Sequence, residues 1–128
     1  MALQVRDSVP MFTVADSVDG HPFAYETIWQ RRNLLLVCIP PADATAGPYV
    51  EQLRARAADV RAHEAQLVIT GDVVAGMPSP GVAVADRWGE ICFIEGAETA
   101  AGLPAAGDLI EWLRFVQVQC PECQGESR

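Results

Sequence analysis

The 128-residue sequence contains no lysine, a single asparagine (Asn33) and two histidines, His21 and His63. Nine arginines stand against seventeen aspartates and glutamates, for a net charge of −8. That balance excludes a nucleic-acid groove and an anionic membrane surface as partners, since both demand clustered basic residues. Missing lysine, scarce asparagine and abundant alanine are the composition of a GC-rich bacterial genome, which carries no information on activity. Two histidines so far apart make neither a metal-site nor a triad signature. No glycine-rich phosphate loop, His-Glu-x-x-His or Gly-x-Ser-x-Gly occurs either. The longest apolar run, Leu34 to Ile39, is strand-sized and too short to span a membrane. Residues Met1 to Asp7 lack the apolar stretch of a signal peptide. The expected location is therefore cytoplasmic, where cysteines are reduced thiols unless they bind metal or cycle.

What is present is the composition of a folded domain: half of the residues are apolar and one fifth are charged. A single domain of this length buries a core without needing disulfides or metal. Phe12 to Ala15 and His21 to Ala24 read as two short strands around the Asp19-Gly20 turn, followed by a helical turn over Tyr25 to Trp29. The continuous apolar run from Leu34 to Ile39, stopped by Pro40-Pro41, suits a strand buried on both faces. Val50, Leu53, Ala57 and Val60 recur at helical spacing, and Gly47-Pro48 fits the start of that one helix. Leu67 to Thr70 is a further buried strand. Val82 to Ala85 and Ile91 to Ile94 form a hairpin across Asp86-Arg87-Trp88-Gly89. Leu109, Trp112, Leu113 and Val116 mark a C-terminal helix with Asp108 as its N-cap. The order β-β-β-α-β-β-β-α, with a helix between two apolar strands, implies a crossover and a mixed sheet.

That order, with these residues, resembles the thioredoxin-like fold, and within it the peroxiredoxin (alkyl hydroperoxide reductase and thiol-specific antioxidant) family. Val9-Pro10-Met11-Phe12-Thr13-Val14 with Asp19-Gly20 is similar to the family's opening hairpin, P-x-F-x-L followed by D-G. Pro41-Ala42-Asp43-Ala44-Thr45 resembles the start of its active-site loop, P-x-x-x-T-x-x-C. Val84 to Ile91 is similar to its I-D-x-x-G-x-I hairpin. The resemblance implies an α/β, thioredoxin-like domain over residues 1–118, a central mixed sheet flanked by helices, with a shortened middle segment. Residues 119–128 are a C-terminal tail.

The departures concern the chemistry. The family's peroxidatic cysteine follows the loop threonine by three positions, and three positions after Thr45 stands Pro48. No cysteine occurs between Ile39 and Ile91. A helix N-terminus there would stabilise a thiolate, but proline offers neither thiol nor N–H. Pro41, Thr45 and Pro48 thus read as a degenerate active-site loop. The family's substrate-activating arginine has no match, since Ser79-Pro80-Gly81-Val82 occupies that stretch. The span from Gly71 to Gly81 is too short for the helix usual there.

The one local motif able to carry chemistry is Cys120-Pro121-Glu122-Cys123. As a redox pair, the two thiols close a small disulfide, although a helix C-terminus and Glu111, Glu122 and Glu126 disfavour a thiolate. As half a metal site, the motif resembles one knuckle of a rubredoxin or zinc-ribbon centre, and a symmetric dimer would bring two knuckles around one zinc or iron. As a chain terminus, it holds two unengaged thiols. All three readings stay open.

Cys38 and Cys92 alternate with apolar neighbours and read as small core residues. Asp43 and Asp72 fall near the C-terminal ends of parallel strands, where ligand crevices form, although turn-capping and strand-ending suffice to explain them. Ile110, Phe115 and Val118 exceed one buried helical stripe, which points to a homodimer surface. The functional expectation is a non-peroxidase binding or assembly domain. The alternatives are a thiol–disulfide oxidoreductase working through Cys120 and Cys123 with a protein partner or thiol reductant, or a metal-clipped dimer through the same cysteines.

Overall fold

A strand of six buried residues, Asn33-Leu-Leu-Leu-Val-Cys38 (β3), lies inside a four-stranded sheet. The structure, a computed structural model, describes residues 2–118. Two short strands precede it, β1 (Thr13–Ala15) and β2 (Pro22–Ala24), paired antiparallel with Val14 opposite Phe23. After β3 come α1 (Ala46–Ala55), α2 (Ala57–Ala62) and β4 (Ala65–Thr70). Then follow β5 (Gly81–Ala85), β6 (Ile91–Gly96) and α3 (Ala106–Val118). The sheet order is β4-β3-β5-β6, with β4 parallel to β3 and the other pairings antiparallel. This is the mixed sheet flanked by helices expected from the sequence.

Alternation along β3 divides the core in two. Leu35, Val37 and Ile39 face Leu53, Val60, Leu109, Leu113 and Val116 of the helical layer. Leu34, Leu36 and Cys38 face Val9, Val14, Phe23, Tyr25 and Ile28. The β1–β2 hairpin therefore covers the face opposite the helices, where Phe12 stacks on Tyr25 at 5.4 Å. It is pinned to edge strand β4. The Ser17 amide donates to the Ile69 carbonyl (2.7 Å), and the Asp16 carboxylate accepts from the Ile69 amide (3.2 Å). The Asp72 carboxylate accepts from Ala15 (2.8 Å), which ties β1 to the end of β4. These contacts occupy backbone groups that an edge strand otherwise leaves open.

Several local expectations need correction. The single helix predicted across Val50 to Val60 is two, because the turn tightens at Arg56, whose amide donates to the Leu53 carbonyl three residues back (3.0 Å). Pro48 is the third residue of α1, not the first; an amide there has no intrahelical partner, so proline is tolerated. Asp108 sits within the first turn of α3 and is not its N-cap, since the helix begins at Ala106. Ile110 is buried in the core and does not point outward, whereas Trp112 is only partly buried and stacks on Phe93 at 4.9 Å. A β-bulge also interrupts β6. Val84 pairs with Phe93 but Ala85 pairs with Ile91, so Cys92 is the extra residue. Ile91 and Ile94 consequently pack with the hairpin layer, while Phe93 packs with the helices.

No helix forms between β4 and β5, in keeping with the short span from Gly71 to Gly81. That loop ends in a cis Ser79–Pro80 peptide and crosses close over the paired residues Gly81 and Gly96.

Candidate functional site

The C-terminal end of β3 brings the degenerate loop together. Pro40 and Pro41 stop the strand, Asp43 and Thr45 follow, and Pro48 lies exposed in the first turn of α1. Asp43 is the hub. One carboxylate oxygen accepts from the Thr45 amide (2.8 Å) and the Thr45 hydroxyl (2.6 Å), and the other from the Ala100 amide (2.8 Å). The Thr45 oxygen accepts in turn from Ala101 (3.0 Å). Hydrogen bonds from Thr45, then Ala100, hold the Asp43 carboxyl below its usual range. These bonds stitch the loop to the short 3₁₀ turn Ala100–Gly102. A shallow hollow of about 330 Å³ is left between the loop, Pro80 and Thr99. Its lining contains no thiol, imidazole or guanidinium. Glu98 and Thr99 also line it, but the Asp43 carboxylate and the Thr45 hydroxyl are already engaged with each other and with backbone, so the loop is built as a structural clasp.

The described thiols lie elsewhere. Cys38 is fully buried, and burial, aided by the Asp72 charge, pushes its thiol up to about 12. Cys92 is partly buried at the bulge, and burial with Asp86 and Glu90 nearby pushes its thiol up to about 11. Neither is a thiolate at neutral pH, so neither is primed to attack. The core-filling role expected of Cys38 holds; Cys92 is partly buried against the helical side of the core and also marks the bulge. Asp72 holds β1, and Asp43, although it lines the hollow, holds the loop, so both carboxylates are engaged with backbone. Among the described residues no group of three His, Cys, Asp or Glu could hold a metal ion. Cys120 and Cys123 lie outside the described residues. No helix of the described residues is long and apolar enough to cross a membrane.

A second, larger concavity was not foreseen as a site. Between β6 and α3 runs a groove of about 610 Å³ floored by Phe93, Trp112 and Phe115. Trp112 stacks on Phe93 and meets Phe115 edge-on at 5.7 Å. Glu95, Asp108 and Glu111 line the same groove. The sequence signal was the surplus of apolar residues on the C-terminal helix. The bulge at Cys92, which turns Phe93 toward that helix, was not legible.

No protein-family model matches the chain, and no curated protein does. Solved structures do. Mycobacterium tuberculosis AhpC superposes with a TM-score of 0.71 at 11% identity, covering 95% of this chain and 98% of its own. The mitochondrial 2-Cys peroxiredoxin of Plasmodium falciparum gives 0.69 at 11% identity, covering 88% and 94%. The thioredoxin domain of a thiol–disulfide oxidoreductase from Bacteroides vulgatus gives 0.61 at 12% identity, covering 90% and 99%. At these identities the likeness is one of fold. The chain has the thioredoxin-like fold, and peroxiredoxins are among its structural neighbours.

Proposed function

We propose that this thioredoxin-fold, peroxiredoxin-like chain lacks a peroxidatic cysteine and acts as a non-peroxidase binding or assembly domain in the cytoplasm. The observation that carries this reading is the loop after β3. Pro48 stands at the position where the family pattern has its nucleophile, and Asp43 and Thr45 are tied into a clasp. The two described cysteines are free thiols whose proton affinities are raised by burial, which supports no role for them as nucleophiles. The test is peroxide consumption by the purified protein with thioredoxin, glutathione or dithiothreitol as donor. The expected rate equals that of the donor alone. Protein-dependent peroxide loss above that background rejects the proposal.

The assembly part of this reading is a homodimer, supported by the exposure of Val118 (71%) on α3, which is not among the residues lining the β6–α3 groove. Sedimentation should show two copies, and a monomer at all concentrations would remove the dimer.

The spacing of Cys120 and Cys123 supports a second reading, as a thiol–disulfide pair or a zinc or iron clip between copies. Metal content and reversible thiol count on freshly purified protein separate these. About half an equivalent of metal per chain favours the clip, and two reversible thiols that vanish in Cys120→Ser favour exchange.

A further inference from the structure

The groove between β6 and α3 combines two features that the proposed binding role does not by itself supply with a ligand. Its floor is aromatic: Trp112 presents one face against Phe93, and Phe115 stands nearly perpendicular to it at 84°. Its lining charges are of one sign: Glu95, Asp108 and Glu111, with no arginine or histidine among the lining residues. Among the described residues every salt bridge lies elsewhere, joining Glu51 to Arg54, Asp59 to Arg56 and Glu64 to Arg87. The placement follows from helical and strand periodicity. Asp108, Glu111, Trp112 and Phe115 fall at i, i+3, i+4 and i+7 on one stripe of α3. The bulge at Cys92 sends Phe93 to the same side of the sheet, and Glu95 follows it at strand spacing.

We infer that this groove binds an organic cation with an apolar body, such as a quaternary ammonium or a hydrophobic amine. Perpendicular aromatic rings offer negative π-faces to a cation lying within about 6 Å of their centroids. The three carboxylates supply the long-range attraction, and the apolar floor takes the body of the ligand. A second copy is the poorer occupant. A two-fold contact centred on the groove would bring the Glu95, Asp108 and Glu111 carboxylates of one copy close to those of the other, which like-charge repulsion opposes. The inference rests on the reading of the chain as a binding domain, yet it stands or falls on a different measurement from the peroxide assay.

The experiment follows the Trp112 indole N–H in ¹⁵N spectra of the full chain, identified by its loss in Trp112→Phe. Phenyltrimethylammonium is the probe, and benzenesulfonate is its anionic counterpart. The cation should shift Trp112 saturably, and the shift should need more probe as salt rises from about 20 to about 200 mM. Phe115→Ala and Glu111→Gln alter exposed side chains, and the same spectra report whether each remains folded. Each should weaken the cation about threefold or more. Benzenesulfonate should give no saturable shift. Equal binding of both probes, no saturation by the cation, or unchanged affinity in both variants overturns the inference. So does broadening of Trp112 with protein concentration alone that Phe115→Ala abolishes, because a second copy would then fill the groove.

Discussion

Asp16 and Asp43 are both aspartates in turns, and their surroundings push them in opposite directions. Asp16 is buried, and one of its carboxylate oxygens has no hydrogen-bond partner. Burial raises its pKa despite the amides of Val18 and Ile69. A carboxyl whose pKa is raised by folding favours the native state most at low pH. That contribution is complete below about pH 4 and is lost as pH climbs through the raised value. Asp16→Asn keeps an oxygen for the two amides and cannot ionise. The variant should be at least as stable as the wild type at pH 7, with the difference closing near pH 4. Urea denaturation at both values checks this, and a variant clearly weaker at pH 7 contradicts it. Asp43 has the reverse sign: its pKa is lowered, so its support is present above about pH 4 and lost as pH falls through the lowered value. Part of this was legible in advance. Asp43 reads as a turn cap from its neighbours, but its bond to Ala100, 57 residues away, depends on tertiary placement alone.

At the scale of elements, the long apolar runs were readable because a strand buried on both faces leaves an unbroken hydrophobic signature. All six residues of β3 and all five of β5 are buried accordingly. The bulge in β6 left no such mark, since Ile91-Cys92-Phe93-Ile94 is apolar throughout and either facing fits the composition. The break at Arg56 was hidden for a related reason, as Leu53 and Val60 keep helical spacing across it. The shortened loop before β5 makes a sharper demand. A Cβ on Gly96 would lie 2.7 Å from Pro78 Cβ, and one on Gly81 would collide with the Pro78 backbone. Gly81→Ala should therefore displace the loop and cost about 1–3 kcal/mol, as overpacking does elsewhere. Gly47→Ala, on α1 with open space around it, is the matched control and should cost nothing or stabilise slightly. Chemical denaturation of the two variants decides the point; equal stability would show that the loop yields freely.

For the whole molecule, the dominant long-range term is charge. A net −8 on 128 residues repels itself in the folded state, and salt screens that repulsion. The urea midpoint should rise between about 10 and about 200 mM sodium chloride, and a falling midpoint would mean that attractive pairs dominate. Lysine-directed cross-linkers have no lysine to join, so sedimentation is the appropriate measure of assembly. Beyond the fold class that a family resemblance implied, the sequence by itself determined the order of the strands and the lack of a cysteine between Ile39 and Ile91. Both are local or compositional, written in short-range periodicity and residue identity. Only the tertiary structure decided that Asp43 and Thr45 close into a clasp with Ala100 and Ala101. It alone also showed that Phe93, Trp112 and Phe115 share one groove with Glu95, Asp108 and Glu111. Those partners are distant in the chain, and their meeting depends on a bulge, a helix start and a sheet register that no local pattern specifies.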